Sequence, residues 1–146
     1  AVVLFTVAGL VIAVYMAYVE LTTHPAVCGA IGDCNAVQQS EYASLLGIPI
    51  GLIGVVGYVL MFGISLLLMR AKLTENMRWL RLLRILVGLS AVFTIYLTFL
   101  EPFVIGAVCA WCLMSSLVVL NLMWLVMTKV HTSKQESIQY LLYQPA

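Results

Sequence analysis

The sequence predicts an all-α integral membrane protein, a bundle of four transmembrane helices with a long outer loop between helices 1 and 2. Three observations carry that expectation. The 146 residues are 64% hydrophobic and 9% charged, with a mean hydropathy of +1.10, too apolar for a soluble domain of ordinary composition. Four apolar runs stand out, Ala1 to Val19, Ile48 to Met69, Leu80 to Leu100 and Phe103 to Met127. All 7 Lys and Arg residues lie in two places, around the junction of runs 2 and 3 and after run 4. A net charge of +1 leaves neither an acidic tail nor a basic face, which excludes nucleic acid as a partner and leaves membrane lipid as the surrounding medium.

Each run can cross a hydrocarbon core of roughly 30 Å, which needs about 20 helical residues because every backbone polar group must be satisfied within the segment. The first, second and fourth runs contain no charge. The third carries Arg81 and Arg84 near its start, where long side chains can reach the headgroups while Ile85 to Leu100 cross the interior. The first run lacks a basic leader and is longer than a signal-peptide core, so an anchored helix is expected. Residues 1–129 are expected to form one membrane domain, with 130–146 a polar cytoplasmic tail whose Ile138 to Tyr143 stretch could lie on the membrane surface.

Charge sets the expected orientation. Arg70, Lys72, Arg78, Arg81 and Arg84 fall between runs 2 and 3, and Lys129 and Lys134 follow run 4, whereas the two opposite connections hold only acidic residues, Glu20, Asp33 and Glu41 in the first and Glu101 in the second. The positive-inside rule then puts both termini in the cytoplasm and both acidic connections outside. The expected localisation is the cell (inner) membrane, as a multi-pass protein with its cysteines on the outer, periplasmic face. Within the first outer loop, Ser40 to Leu46 suggests a short interfacial helix, and Gly47-Ile48-Pro49 marks the entry to the second span, with Pro in the first helical turn. The connection around Glu101-Pro102 is short, so spans 3 and 4 form an antiparallel hairpin.

The chain has 4 cysteines, all on the outer, oxidising side, where disulfides persist. Three pairings are possible, and the spacing favours two local ones. Cys109-Ala110-Trp111-Cys112 is a CxxC motif in the first turns of a helix, whose N-terminus stabilises thiolate, the species that attacks disulfides and quinones. Cys28 and Cys34 would close a small ring containing Gly29 and Gly32, suited to a mobile shuttle. Cys112 lies about 4.5 Å further along its helix than Cys109, so Cys112 is expected to face a membrane-soluble acceptor and Cys109 the shuttle. Inert bracing disulfides and a four-thiolate zinc site use the same residues. No CxxCH occurs, since Leu113 follows Cys112, so covalent haem is unsupported. Ser116, one turn below Cys112, could offer its hydroxyl to a quinone oxygen or bond a backbone carbonyl. Ser40 and Tyr42 are polar candidates near the site, while His24 reads as a solvated loop residue and His131 as unconnected to the chemistry.

Taken together, Cys28-x5-Cys34, Val37, Ser40-Glu41-Tyr42, Gly47-Ile48-Pro49, Tyr96-Leu97 and Cys109-Ala110-Trp111-Cys112 resemble the vitamin K epoxide reductase family, specifically its prokaryotic quinone-linked members. The resemblance runs to about Met127. It implies that Cys28 and Cys34 exchange with a thioredoxin-like (DsbA-type) protein, that Cys109 and Cys112 reduce a quinone (ubiquinone, menaquinone or a relative), and that no metal takes part. It also implies a four-helix bundle around the quinone, bordered by Val37 to Ala43, with Ser40 and Tyr42, and by the outer half of span 3, with Tyr96. Ser116 stands where the animal enzymes have a pocket tyrosine, and their pocket asparagine has no clear counterpart, which weighs against epoxide reduction. No further CxxC follows Cys112, so the partner is expected in trans. The expected function is a quinone-dependent thiol oxidoreductase supporting disulfide bond formation. Its rivals are a DsbB-type oxidase, in which the order of the two cysteine pairs is reversed, and a non-enzymatic four-span scaffold braced by two disulfides.

Overall fold

The computed structural model describes residues 1–28, 32–70 and 73–142, the side chains of 73–76 and 129–142 excepted. Four long helices dominate it: α1 (Val2–Thr22), α3 (Ile50–Arg70), α4 (Leu73–Leu100) and α5 (Ala110–Leu142). α1 packs on α3 and α5, and α4 packs on the same two, so the helices form a closed four-membered bundle. Four segments are long and apolar enough to cross a membrane, Val2–Thr22, Ile50–Arg70, Met77–Ile105 and Ala110–Thr128. The chain is a multi-pass membrane protein.

Small residues let α1 and α3 approach closely. A Cβ on Gly51 would lie 2.6 Å from the backbone nitrogen of Ala17, and one on Gly9 would run into the Tyr58 ring, the close approach that small residues provide between membrane helices. One half of the bundle is filled by residues such as Tyr58, Met61, Val87 and Leu122. The other half holds Ile12, Met16, Val37, Cys34 and Cys109. Outward faces are equally apolar, with Leu4, Val11 and Val14 of α1 and Ile85, Leu89 and Val92 of α4 at least half exposed.

The connections depart from the sequence expectations in three places. The Ser40 to Leu46 stretch is a 3₁₀ turn (Glu41–Ala43) followed by a two-residue strand β1 (Ser44–Leu45), rather than a helix. β1 pairs antiparallel with β2 (Ile48–Pro49) across Leu46 and Gly47, both at positive φ. Pro49 therefore precedes α3 instead of occupying its first turn, because the hairpin occupies the backbone up to that residue. A short helix α2 (Cys34–Gln38), unforeseen in the sequence, lies earlier in the loop.

The third departure lies between spans 3 and 4. Helix α5 begins at Ala110 and not near Phe103, because Glu101–Ile105 form a π-helical turn that contains Pro102 and ends at Gly106 in the left-handed region, φ 75°. Pro102 supplies no N–H and Gly106 reverses the chain, so the apolar run is broken where composition alone shows no break. At the other end, α5 continues as helix through Leu142, so the backbone of much of the expected tail extends span 4, while Tyr143 lies outside the described residues. Arg81 is exposed, but Arg84 is half-buried, its Nε enclosed without a hydrogen-bond partner.

Candidate redox site

The cysteine loop is fastened to the start of α5 by backbone pairing. Gly32 and Cys109 form an antiparallel bridge, and the Asp33 N–H donates to the Val108 carbonyl at 3.0 Å. Gly32 has φ 86°, and a Cβ there would collide with that carbonyl, so glycine meets both a conformational and a spatial demand. Asp33 caps α2, its Oδ1 accepting from Ala36 N–H at 3.1 Å, which sets Cys34 at the first helical position, fully buried.

Upstream of the ring, Val27 is held from both sides. Its N–H donates to the Tyr15 hydroxyl at 2.9 Å and its carbonyl accepts the Trp111 indole N–H at 2.9 Å. Those two rings pack against each other with centroids 4.8 Å apart. Asn35 Oδ1 accepts the Ala26 N–H at 2.8 Å. Cys28 and Cys34 are disulfide-bonded, with Cα atoms 6.0 Å apart. Cys28 is half-buried at the edge of the cluster that encloses Cys34 and Cys109.

Cys109 and Cys112 are thiols. The Cys109 carbonyl accepts the Leu113 N–H at 3.0 Å, opening α5, and the Cys112 N–H points at Cys109 Sγ, 3.4 Å away. The Cys112 side chain hydrogen-bonds to Cys109 and, with the Cys112 backbone N–H, outweighs burial and the nearby Glu101 charge, so the Cys109 thiol titrates below the ordinary thiol range. Cys109 has no exposed surface. Cys112 instead lines an apolar cavity of about 290 Å³ between the four helices.

Polar groups in that cavity are few. Ser116 donates to the Cys112 carbonyl at 2.8 Å and pairs with the Thr98 hydroxyl at 3.0 Å, so it bonds the helix carbonyl and lines the cavity as well. Tyr58 reaches across the bundle to the Ser115 hydroxyl at 2.9 Å. Gln38 lines the cavity with its Oε1 enclosed and without a hydrogen-bond partner among the described residues. Ser40 and Tyr42 border a smaller adjoining cleft of about 40 Å³, shared with Cys112, and Ser40 donates to the Val37 carbonyl at 2.7 Å. Tyr96 is 57% exposed and lines neither space, whereas the next residue, Leu97, lines both. Exposed His24 lies near the Tyr18 ring, their centroids 6.4 Å apart.

A sequence model of the Vitamin K epoxide reductase family matches residues 1–127. The chain belongs to that family. As a vitamin K epoxide reductase family protein it is a membrane thiol oxidoreductase, and the juxtaposition of a disulfide-bonded loop with a CxxC dithiol suits thiol chemistry. Several residues that build this family member's site were not singled out from the sequence. Trp111 had no signal beyond lying inside the CxxC motif, and Tyr15 none beyond being an aromatic in an apolar helix. Glu20 and Glu101 were read only as outer charges, yet both line the cavity. Glu20 accepts the Gly51 N–H at 2.7 Å. Glu101 is 3% exposed, and the available signal was an acid immediately before Pro within otherwise apolar sequence.

Proposed function

We propose that this protein reoxidises a thioredoxin-like, DsbA-type partner in trans through its two cysteine pairs and passes the electrons to a membrane quinone, supporting disulfide formation outside the cytoplasm. The supporting observation is the division of the four sulfurs: Cys28 is half-buried at the loop edge, Cys34 and Cys109 share a sealed cluster, and Cys112 lines the cavity. A partner thiolate attacks Cys28, and Cys34 leaves as thiolate. Resolution of the mixed disulfide by the partner's second thiol leaves Cys28 and Cys34 reduced and the partner oxidised. Cys34 then attacks oxidised Cys109, releasing Cys112 as thiolate, and Cys28 closes the loop disulfide again. Each exchange moves one electron pair without an outside reagent.

The donor set suits a quinone, whose flat apolar ring carries two carbonyl oxygens. The cavity walls are apolar, and the Gln38 amide, whose Oε1 has no partner among the described residues, the Ser116 hydroxyl and Cys112 supply a few convergent polar groups. When bound, a quinone supplies the two-electron acceptor. Gln38 and Ser116 would flank it, the surrounding apolar side chains would exclude water, and Cys112 would present the reacting sulfur. Ser40 and Tyr42 close the neighbouring cleft. The deciding experiment gives detergent-purified protein an excess of reduced thioredoxin-like protein and follows quinone reduction, with Cys112→Ala as the comparison. Turnover in the parent and none in a folded Cys112→Ala supports the reading. A parent inactive with several quinones and partners would point to a scaffold braced by disulfides.

A further inference from the structure

Oxidising a dithiol releases two electrons and two protons, and the second proton must leave a thiol that lines the bundle interior. Cys109 favours thiolate, so one proton is readily surrendered. The other sits on Cys112, in a bundle interior whose lining residues include no Lys, Arg or His. Glu101 is beside it. The π-helical turn and the left-handed Gly106 carry the chain back on itself, with the Ala107 N–H bonded to the Glu101 carbonyl at 3.3 Å. The Glu101 side chain thereby turns inward, where Oε2 accepts the Cys109 N–H at 3.0 Å. Its carboxyl also interacts with the Cys112 side chain, and both residues line the main cavity and the adjoining cleft. A carboxylate that is 3% exposed and has no cationic neighbour among the described residues is costly to bury. A purely structural cap at Cys109 could be made by a neutral side chain.

We propose that Glu101 is the proton acceptor for Cys112 during oxidation of the Cys109–Cys112 dithiol. This rests on the quinone-linked reading above. The Cys112 S–H bond breaks and an O–H bond forms on Glu101, while the Cys109–Cys112 S–S bond forms and the electron pair passes to the quinone. Glu101 returns its proton to the reduced acceptor, whose second proton comes from solvent, replacing the one Cys109 gave up. The Oε2 bond to the Cys109 N–H holds the carboxylate in register with both sulfurs.

The test needs neither quinone nor partner. In a Cys109→Ser background Cys112 is the one free thiol, since Cys28 and Cys34 are paired, and its rate of alkylation by iodoacetamide is followed against pH in quinone-stripped protein. Other titratable groups facing the cavity and its adjoining cleft are Glu20 from α1, Tyr58 from α3 and Tyr42 from the outer loop, while α2 and α4 contribute the neutral Gln38 and Thr98. The expected profile rises in two steps, the lower as Glu101 loses its proton and becomes able to take the thiol proton. Glu101→Gln, nearly isosteric, abolishes the lower step and slows labelling at neutral pH roughly tenfold. Glu101→Asp and Glu20→Gln retain it. A bystander carboxylate gives the opposite sign, because removing a nearby negative charge favours thiolate and speeds labelling. Faster labelling in Glu101→Gln, an unchanged profile, or a single step already present in the Cys109→Ser protein would each overturn the proposal. Failure of quinone turnover in the parent, with the two-step profile intact, would sink the quinone reading and leave the Glu101–Cys112 proton couple standing.

Discussion

Gly32 and Cys109 lie across an antiparallel backbone bridge, which ties the loop ring to the residue that opens α5. Through this contact the two cysteine pairs, far apart in sequence, become one site, with Cys34 and Cys109 buried in the same cluster. Because Gly32 combines a positive φ with a carbonyl that an added Cβ would overlap, no other residue serves equally well.

Gly32→Ala should therefore undock the loop while leaving the bundle folded. A loss of about 1–2 kcal/mol in docking is expected from the backbone conformation and the clash. Partner oxidation should slow at least severalfold, whereas alkylation of Cys112 in the reduced protein stays near the parental rate. Equal rates of partner oxidation in variant and parent would mean that the bridge is dispensable.

The exposure difference between Cys28 and Cys34 predicts an asymmetric trap. Cys34→Ala leaves Cys28 to hold the partner in a stable mixed disulfide, visible on non-reducing gels and assignable by mass spectrometry. Cys28→Ala should accumulate far less adduct, since Cys34 has no exposed surface. Adducts in equal amount would contradict the assigned order, and none in either variant, with normal partner oxidation, would remove the shuttle.

Helix packing is tested at Gly51. An added Cβ meets the Ala17 backbone nitrogen at 2.6 Å and Glu20 Oε2 at 2.7 Å, contacts that cannot be relieved without moving α1. Gly51→Ala is expected to cost about 1–3 kcal/mol, lowering the thermal midpoint in detergent, and Gly54→Ala, whose Cβ would meet only Ala13 Cβ at 3.4 Å, should cost much less. Indistinguishable midpoints would refute the close α1–α3 approach.

Orientation follows from the distribution of Lys and Arg. Single-cysteine probes in intact cells should be labelled by impermeant reagents at position 28 and not at position 78. The reverse pattern would invert the proposed topology.

Much of this protein was legible from its residues. The four spans were evident from apolar runs of sufficient length, and the pairing of spans 3 and 4 from their closeness in sequence, although the connection between them is longer than expected. Ser116 was weighed as a ligand contact or a carbonyl cap, and its hydroxyl bonds the Cys112 carbonyl while also bordering the cavity. The loop was harder to read, since α2 depends on the Asp33 cap and on burial of Cys34, and the β1–β2 hairpin on two consecutive residues at positive φ.

By itself the sequence determined that the chain lies in a membrane, how many apolar segments can cross it, and that thiols are at hand for its chemistry, because length, hydropathy and residue type are local properties. Only the tertiary structure decided which face of each helix turns inward. Lipid and protein interior are equally apolar, so Leu4 and Val11 on the outside differ little in character from Ile12 and Met16 within, and no periodic contrast marks the seam. The same holds for Glu101. An acidic residue between two spans reads as a solvated loop charge until the π-helical turn and Gly106 fold it under Cys109, and that burial depends on backbone geometry set by contacts between α4, the turn and α5.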